Sequence, residues 1–94
     1  MRRVLLTAAA QADIEEALDW YKERAPAFVP RFREALQVAV ARIRENSKQF
    51  PILSHQTRRV LLRRFPYIVI FRETRDRAYI VAVFHASRDI RKFH

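Results

Sequence analysis

The 94-residue sequence contains neither cysteine nor glycine. Without cysteine there is no disulfide framework, no thiolate metal site and no cysteine nucleophile. Without glycine, the phosphate-cradling loops and dinucleotide fingerprints that need tight turns and close backbone approach are excluded as well. Long hydrophobic runs are also missing. The longest, residues 68–71 and 79–84, fall far short of the roughly 20 residues a membrane-spanning helix requires. The start Met1-Arg2-Arg3-Val4-Leu5-Leu6-Thr7 is basic, but its apolar stretch is too short for a signal peptide, so a cytoplasmic protein with no membrane contact is expected. His55, His85 and His94 have no histidine or carboxylate at ligand spacing, so neither a metal nor a cofactor is expected.

Acidic residues are scarce and arginine is abundant. Ten Asp and Glu face nineteen Lys and Arg, sixteen of them arginine, for a net charge of +9. The excess is unevenly placed: nine basic against seven acidic residues up to Phe50 leave +2, and ten against three beyond it leave +7. Such a field attracts polyanions or an acidic protein, and the planar guanidinium suits bidentate contact with phosphate or carboxylate. Half the residues are hydrophobic, enough for a packed core in a chain long enough for one domain, residues 1–94, and too short for two.

Hydrophobic periodicity gives the order of elements. Val4, Leu5 and Leu6 form a short strand ending at Thr7, a helix cap. Ala10, Ile14, Ala17, Leu18 and Tyr21 recur on one face of a helix that ends near Arg24. Pro26 breaks it, and Pro30 fits the first turn of a second helix striped by Phe32, Leu36, Ala39, Val40 and Ile43. A connection of about five residues makes these an antiparallel hairpin. Residues 50–57 read as a loop. Three runs with a period of two follow, residues 59–63, 67–71 and 79–84, and their short links require antiparallel neighbours. The expected fold is α+β, in the order β-α-α-β-β-β, with a helical hairpin on a small twisted, mainly antiparallel sheet. The N-terminal strand joins that sheet beside a neighbour the pattern does not specify. The last two runs are apolar on both faces. One face is for the helices, and the other suits an amphipathic acidic peptide attracted by the surrounding charge. Trp20, off the stripe of the first helix, and Tyr67 and Phe71 are candidates for a groove holding such a partner.

Alternation places Arg59 and Arg63 on one strand face as a row about 7 Å long, able to grip successive phosphates or carboxylates. Arg64 falls on the other face, with Val60 and Leu62. His85 closes the last run and Arg88 follows three residues later, a spacing at which an imidazole can act as acid or base while a guanidinium stabilises charge on a phosphate. Each of these residues also has a structural reading, as a charged edge-strand guard or a strand-end hydrogen bond.

The segments Ala12-Asp13-Ile14-Glu15-Glu16-Ala17, Trp20-Tyr21, Arg31-Phe32 and Phe50-Pro51 point to a known family. So do Arg59-Val60-Leu61-Leu62-Arg63-Arg64-Phe65-Pro66-Tyr67 and Val83-Phe84-His85-Ala86-Ser87-Arg88-Asp89. In this order and spacing the chain resembles the RelE/ParE superfamily of bacterial type II toxins over nearly its whole length. The resemblance implies the β-α-α-β-β-β fold and a cognate antitoxin whose acidic amphipathic C-terminal segment wraps the toxin. It also implies one of two activities: cleavage of messenger RNA in the ribosome by RelE-like members, or inhibition of DNA gyrase by ParE-like members. By position His85 matches the histidine of some of the nucleases, which need no metal, and Arg63 or Arg64 their phosphate-binding arginine. Ala86 stands where some nucleases have tyrosine, and residues 50–57 hold no carboxylate base, only His55. The wording of residues 63–67 and 85–89 is closer to the ParE-like side, which implies a non-enzymatic gyrase inhibitor with Arg59, Arg63, Arg64, His85 and Arg88 as target-contacting candidates. A ribosome-dependent endoribonuclease with catalytic His85 is the alternative, and a non-toxic basic binding domain a third.

Overall fold

A computed structural model describes residues 2–54 and 56–87. Its elements are β1 (Arg3–Leu6), α1 (Ala8–Arg24), α2 (Phe28–Asn46), a single 3-10 turn (Ser47–Gln49), β2 (Ile52–Ser54), β3 (Thr57–Leu61), β4 (Tyr67–Glu73) and β5 (Arg77–His85). The five strands form one mixed sheet in the order β1-β5-β4-β3-β2. β1 runs parallel to β5, and every other pairing is antiparallel. The two-layer α+β arrangement is the expected one, with one strand more. β2 lies in the stretch read as a loop, where three exposed residues after Pro51 carry no alternation.

Local chemistry explains the elements. The Thr7 hydroxyl accepts from the Ala10 amide at 3.1 Å and caps α1, whose last turn carries Lys22 and Arg24, favourable against the helix dipole. Only Ala25, Pro26 and Ala27 separate α1 from α2, a tighter hairpin than expected, closed by Ala25 N–H to the Tyr21 carbonyl at 2.7 Å. The helices cover the sheet face that presents Val60, Val69, Phe71, Ala78, Ile80 and Val83, and Phe32 and Ile43 pack against them fully buried.

A β-bulge shapes β5. Ile70 pairs with Ala82 while the next residue, Phe71, pairs with Ile80, so Val81 is the extra residue and both Ile80 and Val83 face the helices. β1 pairs with β5 only as far as Ile80. Past that point the Asp13 carboxylate on α1 takes the Val83 amide at 3.0 Å, replacing the missing strand partner. On the opposite face Ile70, Ala82 and Phe84 form a second apolar cluster flanked by Ile68 and Val81. The sheet is therefore apolar on both faces, as its sequence implied.

Candidate functional site

One end of the molecule gathers most of the candidate residues. The β3–β4 turn, the C-terminal end of α1, the start of α2 and the last residues of β5 meet there around an aromatic cluster. Phe32 contacts Tyr67 and Phe65 edge-on, with ring centroids 5.1 and 5.2 Å apart, and Tyr21 lies 5.5 Å from both Phe32 and Phe65. Trp20 stacks edge-on against Tyr21 at 5.1 Å, and the Arg24 guanidinium sits 4.8 Å above the Trp20 ring.

This cluster changes the reading of the groove candidates. Tyr67 and Phe71, with 3% and 0% of their surface exposed, are core residues beneath the helices and do not line an open groove. Tyr67 and Phe71 share one face of β4, and that face is the one the helices cover. Trp20 is half-buried against the same core.

The arginine row is also rearranged. β3 ends at Leu61, Leu62 turns inward, and the chain closes a turn by Leu62 N–H to the Tyr67 carbonyl at 3.0 Å. Arg63 therefore sits in that turn and forms no strand row with Arg59. Arg64, beside it, has a positive φ of 66°. Arg59 pairs with Ile70 in register and faces away from the helices, whereas His85 pairs with Tyr67 on the helix-covered side, its ring 5.3 Å from the tyrosine ring. The sheet thus places Arg59 and His85 on opposite faces. The His85 Nδ1 accepts from the Ser87 amide at 3.2 Å, with the Ser87 hydroxyl at 3.1 Å, an arrangement that leaves the ring proton of a neutral imidazole on Nε2. Arg88 and His55 lie outside the described residues. Among the described residues no three histidine, aspartate or glutamate side chains gather as a metal-ligand set.

Among the concave surfaces formed by the described residues, two bear on partner binding. The first, about 560 Å³, lies between α2 and the β3–β4 turn and is lined by Phe28, Arg31, Glu34, Val38, Arg63 and Arg64 among others. The second, about 510 Å³, runs along the edge strand β1, with Leu6, Ile14, Leu36 and Val40 in its floor and Arg33 and Arg44 beside them. Neither cleft was legible from periodicity, since each joins residues from elements far apart in sequence.

Glu73 organises a third group. Its carboxylate accepts from Arg58 Nε at 2.9 Å and from the Ser47 hydroxyl at 2.7 Å, and it forms an ion pair with Arg2. Arg58 also donates to the Phe50 carbonyl at 2.7 Å. Burial pushes the Glu73 carboxyl up, but the hydrogen bonds from Ser47 and Arg58 and the charges of Arg2 and Arg58 outweigh it and hold the group below its ordinary value of 4.5. Arg58 is thereby committed to the fold, while its neighbour Arg59 stays exposed.

With this geometry in place, comparison with known proteins is decisive on ancestry. The family model of the ParE toxin of the type II toxin-antitoxin system, parDE, matches residues 4–90. The chain belongs to the ParE toxin family. Among solved structures it is similar to a chain of the chromosomal ParDE TA system from P. aeruginosa, with a TM-score of 0.80 at 20% identity, covering 93% of this chain and 98% of that one. That likeness shows the shared fold. No curated protein matches the sequence. It is a ParE-like toxin of a type II toxin-antitoxin system, built as two helices on a five-stranded mixed sheet.

Proposed function

We propose that this ParE-family protein arrests growth by binding and inhibiting DNA gyrase in the cytoplasm, and that a cognate antitoxin neutralises it. The observation that carries the gyrase reading is the match of residues 4–90 to the ParE toxin family model. A nuclease would need an acid or base and a phosphate-gripping arginine converging on one scissile bond, within hydrogen-bond reach of the reacting atoms. Arg59 lies on the sheet face opposite His85, and the sequence supplies neither a tyrosine at the Ala86 position nor a carboxylate base in residues 50–57 to complete such a set around His85, Arg63 and Arg64. The exposed arginines Arg59, Arg63 and Arg64 then serve as contacts to a protein target, with His85 at the end of β5 and Arg88, three residues on in sequence, as further candidates.

The groove along β1 supports the antitoxin reading. Leu6 is 45% exposed above an apolar floor, an open strand edge lies alongside, and Arg33 and Arg44 flank it. An amphipathic acidic segment would cover the apolar side chains and meet both arginines. Among the described residues no helix is long and apolar enough to cross a membrane, which is compatible with a cytoplasmic site of action. Induced expression should stop growth, and co-expression of the antitoxin should restore it. Unimpaired growth at high expression would sink this reading in favour of a non-toxic binding domain.

A further inference from the structure

The cleft between α2 and the β3–β4 turn combines three features that no single element supplies. Its charge is uncompensated: Arg31, Arg63 and Arg64 line it with one carboxylate, Glu34, and none of these four forms an ion pair among the described residues. Its walls are apolar and open, with Phe28 42% and Val38 38% exposed. Its frame is fixed. Phe65 is wedged edge-on between Phe32 and Tyr21, the turn is tied by Leu62 N–H to the Tyr67 carbonyl and by Ala86 N–H to the Pro66 carbonyl at 2.7 Å, and the Arg31 guanidinium rests 5.6 Å above the Phe28 ring. Arg64 keeps a left-handed backbone that is unfavourable for a non-glycine residue, a strain of the kind that accumulates at binding sites.

We infer that this cleft binds a short acidic segment of a protein partner, inserting one apolar side chain between Phe28 and Val38 while its carboxylates meet Arg31, Arg63 and Arg64. Bidentate guanidinium–carboxylate pairing around a buried apolar anchor is the pattern of an interface hot spot. A volume of about 560 Å³ suits a few side chains. A nucleic acid fits less well, because Glu34 would face its phosphates and the apolar walls would meet its charged backbone. The groove proposed for the antitoxin along β1 is built from other residues, so we assign this cleft to the protein that the toxin disables, an assignment that the growth readout below tests. This assignment rests on the toxin reading above.

The test uses the full chain and an Arg31→Ala, Arg64→Gly double variant. Both positions are exposed, and glycine suits the left-handed site, so the melting temperature should not fall. The probe is a fluorescent peptide alternating glutamate with leucine, set against the same peptide with glutamine for glutamate and against a labelled single-stranded oligonucleotide. The expected result is that the variant binds the acidic peptide about tenfold more weakly, matching the weak binding of the glutamine peptide by the wild type, and no longer arrests growth. Equal peptide binding by the two proteins would overturn the inference. So would an oligonucleotide that binds more tightly than the peptide and loses as much affinity in the variant. Full growth arrest by the variant would overturn the assignment of the cleft to the target. A wild type that never arrests growth would instead refute the toxin reading, and the peptide comparison would still decide what the cleft binds.

Discussion

Arg64 and Gln56 hold positive φ angles, 66° and 26°, in a chain that has no glycine to place there. A glycine count of zero does not remove the need for such positions. It transfers them to residues whose side chains then serve another purpose, and at Arg64 that side chain lines the arginine cleft. The sequence shows how many arginines there are but not which are free. Arg58 and Arg59 are adjacent and identical in type, yet one is tied to Glu73 and the other is exposed, because strand alternation sends them to opposite faces. Glu73 itself gave no signal in the sequence, since its partners Arg2, Ser47 and Arg58 come from three stretches far apart in the chain. Replacing it by glutamine should cost about 1–3 kcal/mol at neutral pH, because Arg2 and Arg58 lose their counter-charge. A carboxyl held below 4.5 in the folded state stabilises the fold above that value, and the contribution is lost as the pH falls through the lowered one. Urea titrations should therefore show a gap between wild type and Glu73→Gln that is full at neutrality and narrows in acid. A gap that is constant down to strong acid would contradict this account.

At the scale of elements, the long periodic segments were legible and the short or interrupted ones were not. Both helices and β4 and β5 follow their hydrophobic periods, with Thr7 and Pro26 marking the boundaries of α1. β2 went unread because three residues cannot show a period, and β3 stops two residues early because the turn closes at Leu62. The bulge at Val81 shifts the register within an unbroken apolar run, which periodicity alone does not reveal. Asp13 is the element-level consequence. It bonds the Val83 amide where β1 has ended, so a helix side chain completes a strand edge. Asp13→Ala should cost about 1–2 kcal/mol by leaving that amide without its acceptor, and Asp13→Asn, which retains a carbonyl oxygen, should cost clearly less. Amide exchange at Val83 provides a local readout: faster exchange in the alanine variant alone supports the role, and equal loss of stability in both variants would oppose it.

For the whole molecule, the two-layer fold is a scaffold that separates surfaces. The helices consume one sheet face, the edge strand β1 offers an apolar groove, and the cleft between α2 and the β3–β4 turn presents Arg31, Arg63 and Arg64, none in an ion pair among the described residues, beside an aromatic frame. Family membership accounts for the scaffold, and the distribution of charge and apolar surface sets two separate surfaces on it. The composition pointed to a polyanion or an acidic protein as partner, whereas only the folded chain separates the two surfaces proposed above for acidic segments. The central claim is inhibition by binding, with no bond cleaved. The most direct measurement sets an in vitro gyrase supercoiling assay beside ribosome-programmed mRNA cleavage, using toxin freshly released from its antitoxin. Loss of supercoiling with intact mRNA is the predicted result. Codon-positioned cleavage with normal supercoiling would contradict it and make His85 and the arginines around it an active site.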